Sequence, residues 1–128
     1  MKIILDTNFL IYCAKEKLDY IQEFQSFFNE DYELVVPFQV IEELEKLKND
    51  KFKKVSGKDK FAANLALQLL EFNNIKKVEA KGKNVDSAII ALSKECKKNI
   101  VATLDREMRQ ELGRVILISK GKKLILTR

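Results

Sequence analysis

The apolar residues of this chain fall into patterns of two kinds. Ile3-Ile4-Leu5, Leu34-Val35-Val36 and Ile100-Val101-Ala102-Thr103-Leu104 are short continuous runs bounded by charged residues or proline. They read as strands buried on both faces. Between them the apolar positions recur at steps of three and four. Phe9 to Ala14 opens a helix behind Thr7 and Asn8, both good N-cap types. Ile21, Phe24, Phe27 and Phe28 mark a second helix over about 19–29, and Val40, Ile41, Leu44 and Leu47 a third, entered through Pro37. From Lys58 to Phe72 the apolar face is unusually wide, and is expected to be covered by the rest of the fold or by a second subunit. Behind a turn at Lys81-Gly82-Lys83, Asn84 caps a helix that buries Val85, Ala88, Ile89, Leu92 and Cys96. Lys77 to Glu79 reads as a short strand and Asp105 to Leu112 as a short helix. Val115 to Ile118 and Leu124 to Leu126 read as a hairpin around Lys120-Gly121-Lys122.

Strands that alternate with helices predict a parallel sheet covered on both faces. The expected architecture is a three-layer α/β/α sandwich with a mostly parallel sheet of four or five strands, the final hairpin supplying an antiparallel edge. The 128 residues suffice for one domain spanning 1–128 and not for two.

Composition then narrows the chemistry. With 46% apolar and 34% charged residues the chain reads as a soluble globular protein, and no run approaches the length of a membrane span. It opens directly on a strand-like run rather than on a leader, which makes the cytoplasm the expected compartment. Cys13 and Cys96, far apart and each on an apolar helical face, are expected to be reduced, buried thiols. Histidine is absent. This excludes Ser-His-Asp and Cys-His catalysis and histidine-bearing zinc sites. Metal chemistry, if present, must use oxygen ligands, which select Mg²⁺ or Mn²⁺.

Against that background the placement of acids carries information. Asp6 closes the first apolar run and Asp105 the third, so both emerge at the carboxyl edge of the expected sheet, where ligands collect in open α/β folds. Asp86 lies in the first turn of its helix, where the helix dipole alone would favour it. The third helix offers three glutamates: Glu42 lies opposite the apolar stripe, whereas Glu43 and Glu45 flank its two edges, and periodicity does not choose between them. Gathered together, such carboxylates repel one another unless a cation is present. Two divalent ions about 4 Å apart, held by carboxylates, are a common device for hydrolysing a phosphodiester in line. The net charge of +5 has its counterpart in one stretch, where Lys46, Lys48, Lys51, Lys53, Lys54, Lys58 and Lys60 face only Asp50 and Asp59. Such a stretch attracts polyanions by counterion release. With only Phe52 and Val55 as apolar anchors, it is expected to be loosely held without RNA. Lys51, Lys53, Lys54 and Arg106 are candidate phosphate contacts.

The segments Lys2-Ile-Ile-Leu-Asp-Thr-Asn8, Val36-Pro-Phe-Gln-Val-Ile-Glu-Glu-Leu-Glu-Lys-Leu47, Val85-Asp-Ser-Ala-Ile-Ile90 and Ile100-Val-Ala-Thr-Leu-Asp-Arg-Glu107 together resemble the PIN-domain ribonuclease family, in order and over nearly the whole chain. The resemblance implies metal ligands at Asp6, Glu43, Asp86 and Asp105, a catalytic hydroxyl at Thr103, and a substrate-facing polar residue at Asn8. It implies an endoribonuclease dependent on Mg²⁺ or Mn²⁺ that cuts single-stranded or structured RNA. It also implies a homodimer, and as partner either an antitoxin, as in the VapC toxins, or a ribosome-assembly protein, as in the branch that processes ribosomal RNA. Toxins of the family carry a second Asp two residues after the fourth acid. Glu107 stands there instead, which weakens the toxin reading. A zinc-ribbon form of the processing branch is excluded by the two cysteines.

Competing α/β enzymes fit less well. Haloacid-dehalogenase-type phosphatases need a second Asp where Asn8 stands, response-regulator receivers phosphorylate an Asp after a middle strand, and no glycine-rich nucleotide fingerprint is present. The alternative function is an RNA-binding or assembly module that retains the fold around a vestigial site.

Overall fold

The computed structural model describes residues 1–119 and 121–127. The chain runs β1 (Lys2–Leu5), α1 (Thr7–Lys15), α2 (Tyr20–Phe27), β2 (Glu33–Pro37), α3 (Phe38–Lys48), α4 (Gly57–Phe72), β3 (Lys76–Val78), α5 (Val85–Lys94), β4 (Ile100–Ala102), a single 3-10 turn at Met108–Gln110, β5 (Val115–Ile118) and β6 (Leu124–Thr127). The strands form one sheet of six in the order β3-β2-β1-β4-β5-β6, parallel except for the β5–β6 hairpin. The sheet is therefore larger than the four or five strands expected, because the short Lys76–Val78 segment pairs with β2 and both hairpin strands join the same sheet. The hairpin turn reads as expected at Gly121 and Lys122, while Lys120 lies outside the described residues.

Strand order explains where a site can form. The chain builds outward from β1 through β2 to β3, then crosses back through α5 to place β4 on the other side of β1. Right-handed crossovers running in opposite directions put their helices on opposite faces. Here α4 packs on both α1 and α3, whereas α5 lies along β1, β2 and β4 and meets α3. The direction reverses between β1 and β4, so a crevice opens past their carboxyl ends.

Register fixes what meets in that crevice. Ile3, Ile4 and Leu5 pair with Ile100, Val101 and Ala102, and all six are fully buried. The ladder extends one step further, as the Asp6 amide donates to the Ala102 carbonyl at 3.0 Å. Asp6 and Thr103 thus leave the sheet side by side. Beneath the helices, Phe9 and Tyr20 pack around Phe24, which also meets Phe28 and Tyr32.

Three local expectations need correction, and a fourth is narrowed. Asp6, not Thr7 or Asn8, is the N-cap of α1, because its carboxylate already accepts from the Thr7 amide. Asp105 to Leu112 is not a helix beyond the one 3-10 turn at Met108–Gln110. Cys96 is exposed, since α5 ends at Lys94 before reaching it, while Cys13 is buried and its thiol is pushed up to about 12 by desolvation. The rest of the fold covers the wide face of α4 only in part, which leaves a second subunit as the other cover expected for it. Ala62, Ala63, Ala66 and Leu70 are buried, whereas Phe61 and Phe72 are 70% and 82% exposed.

One turn has no freedom. Gly82 has φ 129°, and a Cβ there would stand 2.4 Å from Ser87 Oγ and 2.9 Å from the Ala88 amide nitrogen. Ser87 belongs to the capping box by which Asn84 starts α5. Gly82→Ala is expected to destabilise the protein by about 1–3 kcal/mol, from strain and loss of the cap. A urea midpoint unchanged from wild type would contradict this account of the turn.

Candidate active site

Asp6, Thr7, Asn8, Glu43 and Asp86 line one cavity of about 430 Å³ in the crevice. Asp6 comes from the end of β1, Glu43 from the middle of α3, and Asp86 from the first turn of α5. The three are thus gathered from three elements, each by a separate device. The β1–β4 register places Asp6. Thr7 donates its hydroxyl to Glu43 Oε2 at 3.0 Å, tying α3 to the start of α1. Gln39 donates to the carbonyls of Ala80 (2.8 Å) and Gly82 (2.9 Å), which fastens the turn before α5 to the first turn of α3. Of the three glutamates on α3, Glu43 is the one on this cavity, while Glu42 and Glu45 are exposed.

Asp6 is the most constrained of the acids, at 2% exposure. Its Oδ1 accepts from the Thr7 amide at 2.8 Å and its Oδ2 from the Thr103 hydroxyl at 2.6 Å. Desolvation nevertheless dominates and lifts its pKa from 3.8 to about 6, with the charges of Asp86 and Glu43 adding to the rise and the two hydrogen bonds opposing it. A carboxylate so placed is underserved by the protein's own donors.

Asp105 is placed differently. Its Oδ1 accepts from the Glu107 amide at 3.0 Å and the Met108 amide at 3.2 Å, which starts the 3-10 turn, and it does not line the cavity. Its neighbour Leu104 does, held by its amide donating to Asn8 Oδ1 at 2.9 Å. Asn8 Oδ1 also lies 3.3 Å from the Thr103 hydroxyl, whose one proton goes to Asp6, and Thr103 in turn accepts from the Asp105 amide at 3.0 Å. Asn8 therefore lines the cavity while anchoring the segment that carries Asp105. Lys51, Lys53, Lys54 and Arg106 are exposed, and none of them lines the cavity.

The cavity contains groups that the sequence did not single out. Tyr12, Lys15 and Asp59 complete its wall, with Lys15 of α1 paired to Asp59 of α4. The hydrogen bond from Lys15 holds the Asp59 carboxyl below its usual range. Asn8, Tyr12 and Lys15 recur at helical spacing along α1, a signal visible in the sequence once the cavity is known. Thr7 carried none, since a threonine at a helix start is expected on local grounds alone.

All the candidate ligands are carboxylate oxygens, the donor type suited to Mg²⁺ or Mn²⁺. Among the described residues, no group of three or more acidic side chains stands close enough to hold a metal ion as placed. Mg²⁺ keeps several waters and takes only one or two carboxylates from a protein, so a pair of these acids would suffice for it.

The sequence profile of the PIN-like domain matches residues 3–125. The chain belongs to the PIN-like domain family. It is 40% identical over 111 residues to ribonuclease VapC4 of Methanocaldococcus jannaschii, a match covering 87% of this chain and 82% of that relative. The fold is also that of the PIN-domain endonuclease Utp24, with a TM-score of 0.77 at 21% identity over 99% of this chain and 91% of the other. VapBC2 from Rickettsia felis, solved with a DNA fragment from its promoter, superimposes with a TM-score of 0.58 at 13% identity over 93% of this chain and all of its matched chain. No helix among the described residues is long and apolar enough to cross a membrane.

The raised pKa of Asp6 has a consequence for stability. Between pH 4 and 6 the folded state binds a proton that the unfolded state has released, so without metal the contribution of Asp6 to stability falls as pH rises through this window. Asp6→Asn is therefore expected to stabilise the metal-free protein at pH 8, by at most about 3 kcal/mol, and to have little effect at pH 4. Unfolding in EDTA at the two pH values checks this. A variant equally or less stable at pH 8 would show that Asp6 is not destabilised by burial.

Proposed function

We propose that this PIN-like protein is a metal-dependent endoribonuclease. The observation that carries the reading is the convergence of Asp6, Glu43 and Asp86 from three separate elements on one cavity at the β1–β4 crevice. The family and the 40% identity to a named ribonuclease support it. Asp6, Glu43 and Asp86 are the residues that would hold Mg²⁺ or Mn²⁺, with Asp105 serving from the adjoining rim through the oxygen not used in its turn. When bound, such an ion lowers the pKa of water and offsets charge on a phosphodiester.

The chain's own contribution is positional and electrostatic. Thr103 and the Thr7 amide fix both oxygens of Asp6. The Thr7 hydroxyl orients Glu43. Asn8 steadies the segment from Thr103 to Asp105. Lys51, Lys53, Lys54 and Arg106, all exposed, are assigned to the RNA backbone beyond the cavity, where they counter the charge an acidic site presents to a polyanion.

Purified protein is expected to cut single-stranded RNA with Mg²⁺ or Mn²⁺ and not in EDTA. Asp6→Asn abolishes cutting in a folded protein. Thr103→Val, which keeps the shape and removes the hydroxyl, lowers activity about 10–100-fold, as loss of a ligand-orienting bond does. Cutting undiminished in Asp6→Asn refutes the assignment. The alternative of an RNA-binding module with a vestigial site draws on the spacing of the acids, too wide among the described residues for three to hold one ion as placed, and on the use of Asp105 as a turn cap. Salt-sensitive RNA binding without cleavage at saturating Mn²⁺ would favour it.

The VapC relationship extends the proposal to a protein partner of the VapB type, as in the VapBC2 complex. On that extension, expression of the chain alone arrests growth and Asp6→Asn relieves the arrest. Normal growth alongside demonstrable nuclease activity would remove the toxin role and leave the enzyme.

A further inference from the structure

The segment from Asn49 to Ser56 joins α3 to α4, and both of its stems border the acidic cavity: Leu47 lines it from α3 and Asp59 from α4. The segment forms neither helix nor strand, yet it has internal order. Asp50 accepts from the Phe52 amide at 3.3 Å through Oδ1 and from the Val55 amide at 3.0 Å through Oδ2. Between these bonds the backbone reverses at Lys53, whose φ is 57°. Val55 is half-buried, so the loop is pinned at its base.

This arrangement holds Phe52 out in water, 81% exposed, between Lys51 and Lys53. A single exposed apolar side chain is ordinary. Phe52 differs from such a residue in its setting. It forms one wall of an open cavity of about 380 Å³ shared with Glu45, Lys46, Asn49, Asp50 and Lys51. That cavity therefore combines an aromatic face, an amide able to donate and accept, the ammonium groups of Lys46 and Lys51, and the carboxylates of Glu45 and Asp50. Asp50, the loop's one acid, is turned onto backbone amides, and Asp59 at the start of α4 pairs with Lys15, so the loop's three exposed lysines outnumber its carboxylate, with Glu45 on the α3 side of the cavity. Aromatic faces interleaved with basic groups are how proteins hold unpaired nucleotides, the base stacking on the ring and the phosphates meeting the cations.

We propose that Phe52 is a base-stacking residue at the entrance to the site, and that the Asp50-ordered lysine loop grips unpaired RNA beside the bond to be cut. The substrate class rests on the nuclease reading above; the stacking contact itself does not require cleavage. A loop pinned at Asp50 and Val55 presents the ring without having to be ordered on binding, which lowers the entropic cost of association. Base-paired RNA keeps its bases stacked on one another and offers the ring no free face, so the loop also selects for single strands.

The test is fluorescence anisotropy of the full chain with a fluorescein-labelled, mixed-sequence, single-stranded RNA of about 12 nucleotides, in EDTA so that nothing is cut. Phe52→Ala is expected to weaken binding about tenfold, Phe52→Leu to behave like Phe52→Ala, and Phe52→Trp to bind at least as well as wild type. The salt dependence of binding should stay unchanged in Phe52→Ala, since no phosphate contact is lost. Against the same backbone made abasic, wild type and Phe52→Ala should bind alike. Wild-type affinity in Phe52→Ala, absence of RNA binding by the wild type, or equal losses on normal and abasic RNA would each overturn the proposal, the last by showing that the substitution merely collapses the loop. A wild type that cuts RNA while Phe52→Ala binds normally would overturn stacking and leave the nuclease. A wild type that binds through Phe52 without cutting would do the reverse.

Discussion

The fold is organised around a carboxylate kept out of water at the end of its central strand. Asp6 sits where the pairing of β1 with β4 runs out, and the six fully buried residues of that pairing fix its position. Nothing in the packing of Ile3, Ile4 and Leu5 calls for a charge there. An alanine or serine would close the strand at lower cost, because two hydrogen bonds from Thr7 and Thr103 do not offset the desolvation that lifts Asp6 to a pKa of about 6. Glu43 and Asp86, brought to the same cavity, make matters worse. A stable core carries such an arrangement at a site where stability has been traded for chemistry.

The expected partner of Asp6 was legible because the sheet obeys short-range rules. Two buried runs, each closed by an acid, predict parallel strands whose carboxyl ends coincide and so bring Asp6 and Asp105 to one edge; Thr103 entered only through the family resemblance, and it is the observed register that sets it beside Asp6. Helical phase put Glu42 on the solvent side of α3 and left Glu43 and Glu45 as equals. What separates them in space is the contact from Thr7 to Glu43, a pairing 36 residues apart that no periodicity encodes. The same holds for Lys15 and Asp59, which meet because α1 and α4 pack together. Asp105 illustrates a competing local use: a carboxylate two residues before free amides closes a turn on them, and this capping took the place of the helix that the apolar spacing suggested.

The misjudged surfaces share one cause. Periodicity reports which residues lie on a stripe, not how much neighbouring structure there is to cover it. On α4 the alanines at 62, 63 and 66 are buried where α4 packs on α1 and α3, while Phe61 and Phe72 fall beyond that contact and are left uncovered by their own chain. Cys96 lies two residues past the end of α5 and is exposed for the same reason. The sixth strand reflects the limit from the other side. Lys76–Val78, read from the sequence as a short strand one residue further on, has two lysines among its three residues and pairs with β2 alone, at the edge of the sheet.

Charge separation is the last element that the fold imposes. The positive excess of the chain matches that of the segment from Lys46 to Lys60, and the stems of this segment frame the acidic cavity. Carboxylates and lysines in such proximity would ordinarily neutralise one another in surface ion pairs. Here the loop directs its lysines outward, because Asp50 is consumed by the backbone, its carboxyl held below the usual range chiefly by the Val55 amide, and Asp59 is consumed by Lys15. The cavity acids are left without lysine partners of their own from the loop, since none of Lys51, Lys53 and Lys54 lines the cavity. Two fields of opposite sign therefore coexist at one edge of the sheet. On the nuclease reading proposed above, a polyanion would be drawn to the outer field while a cation, or a proton on Asp6, relieves the inner one.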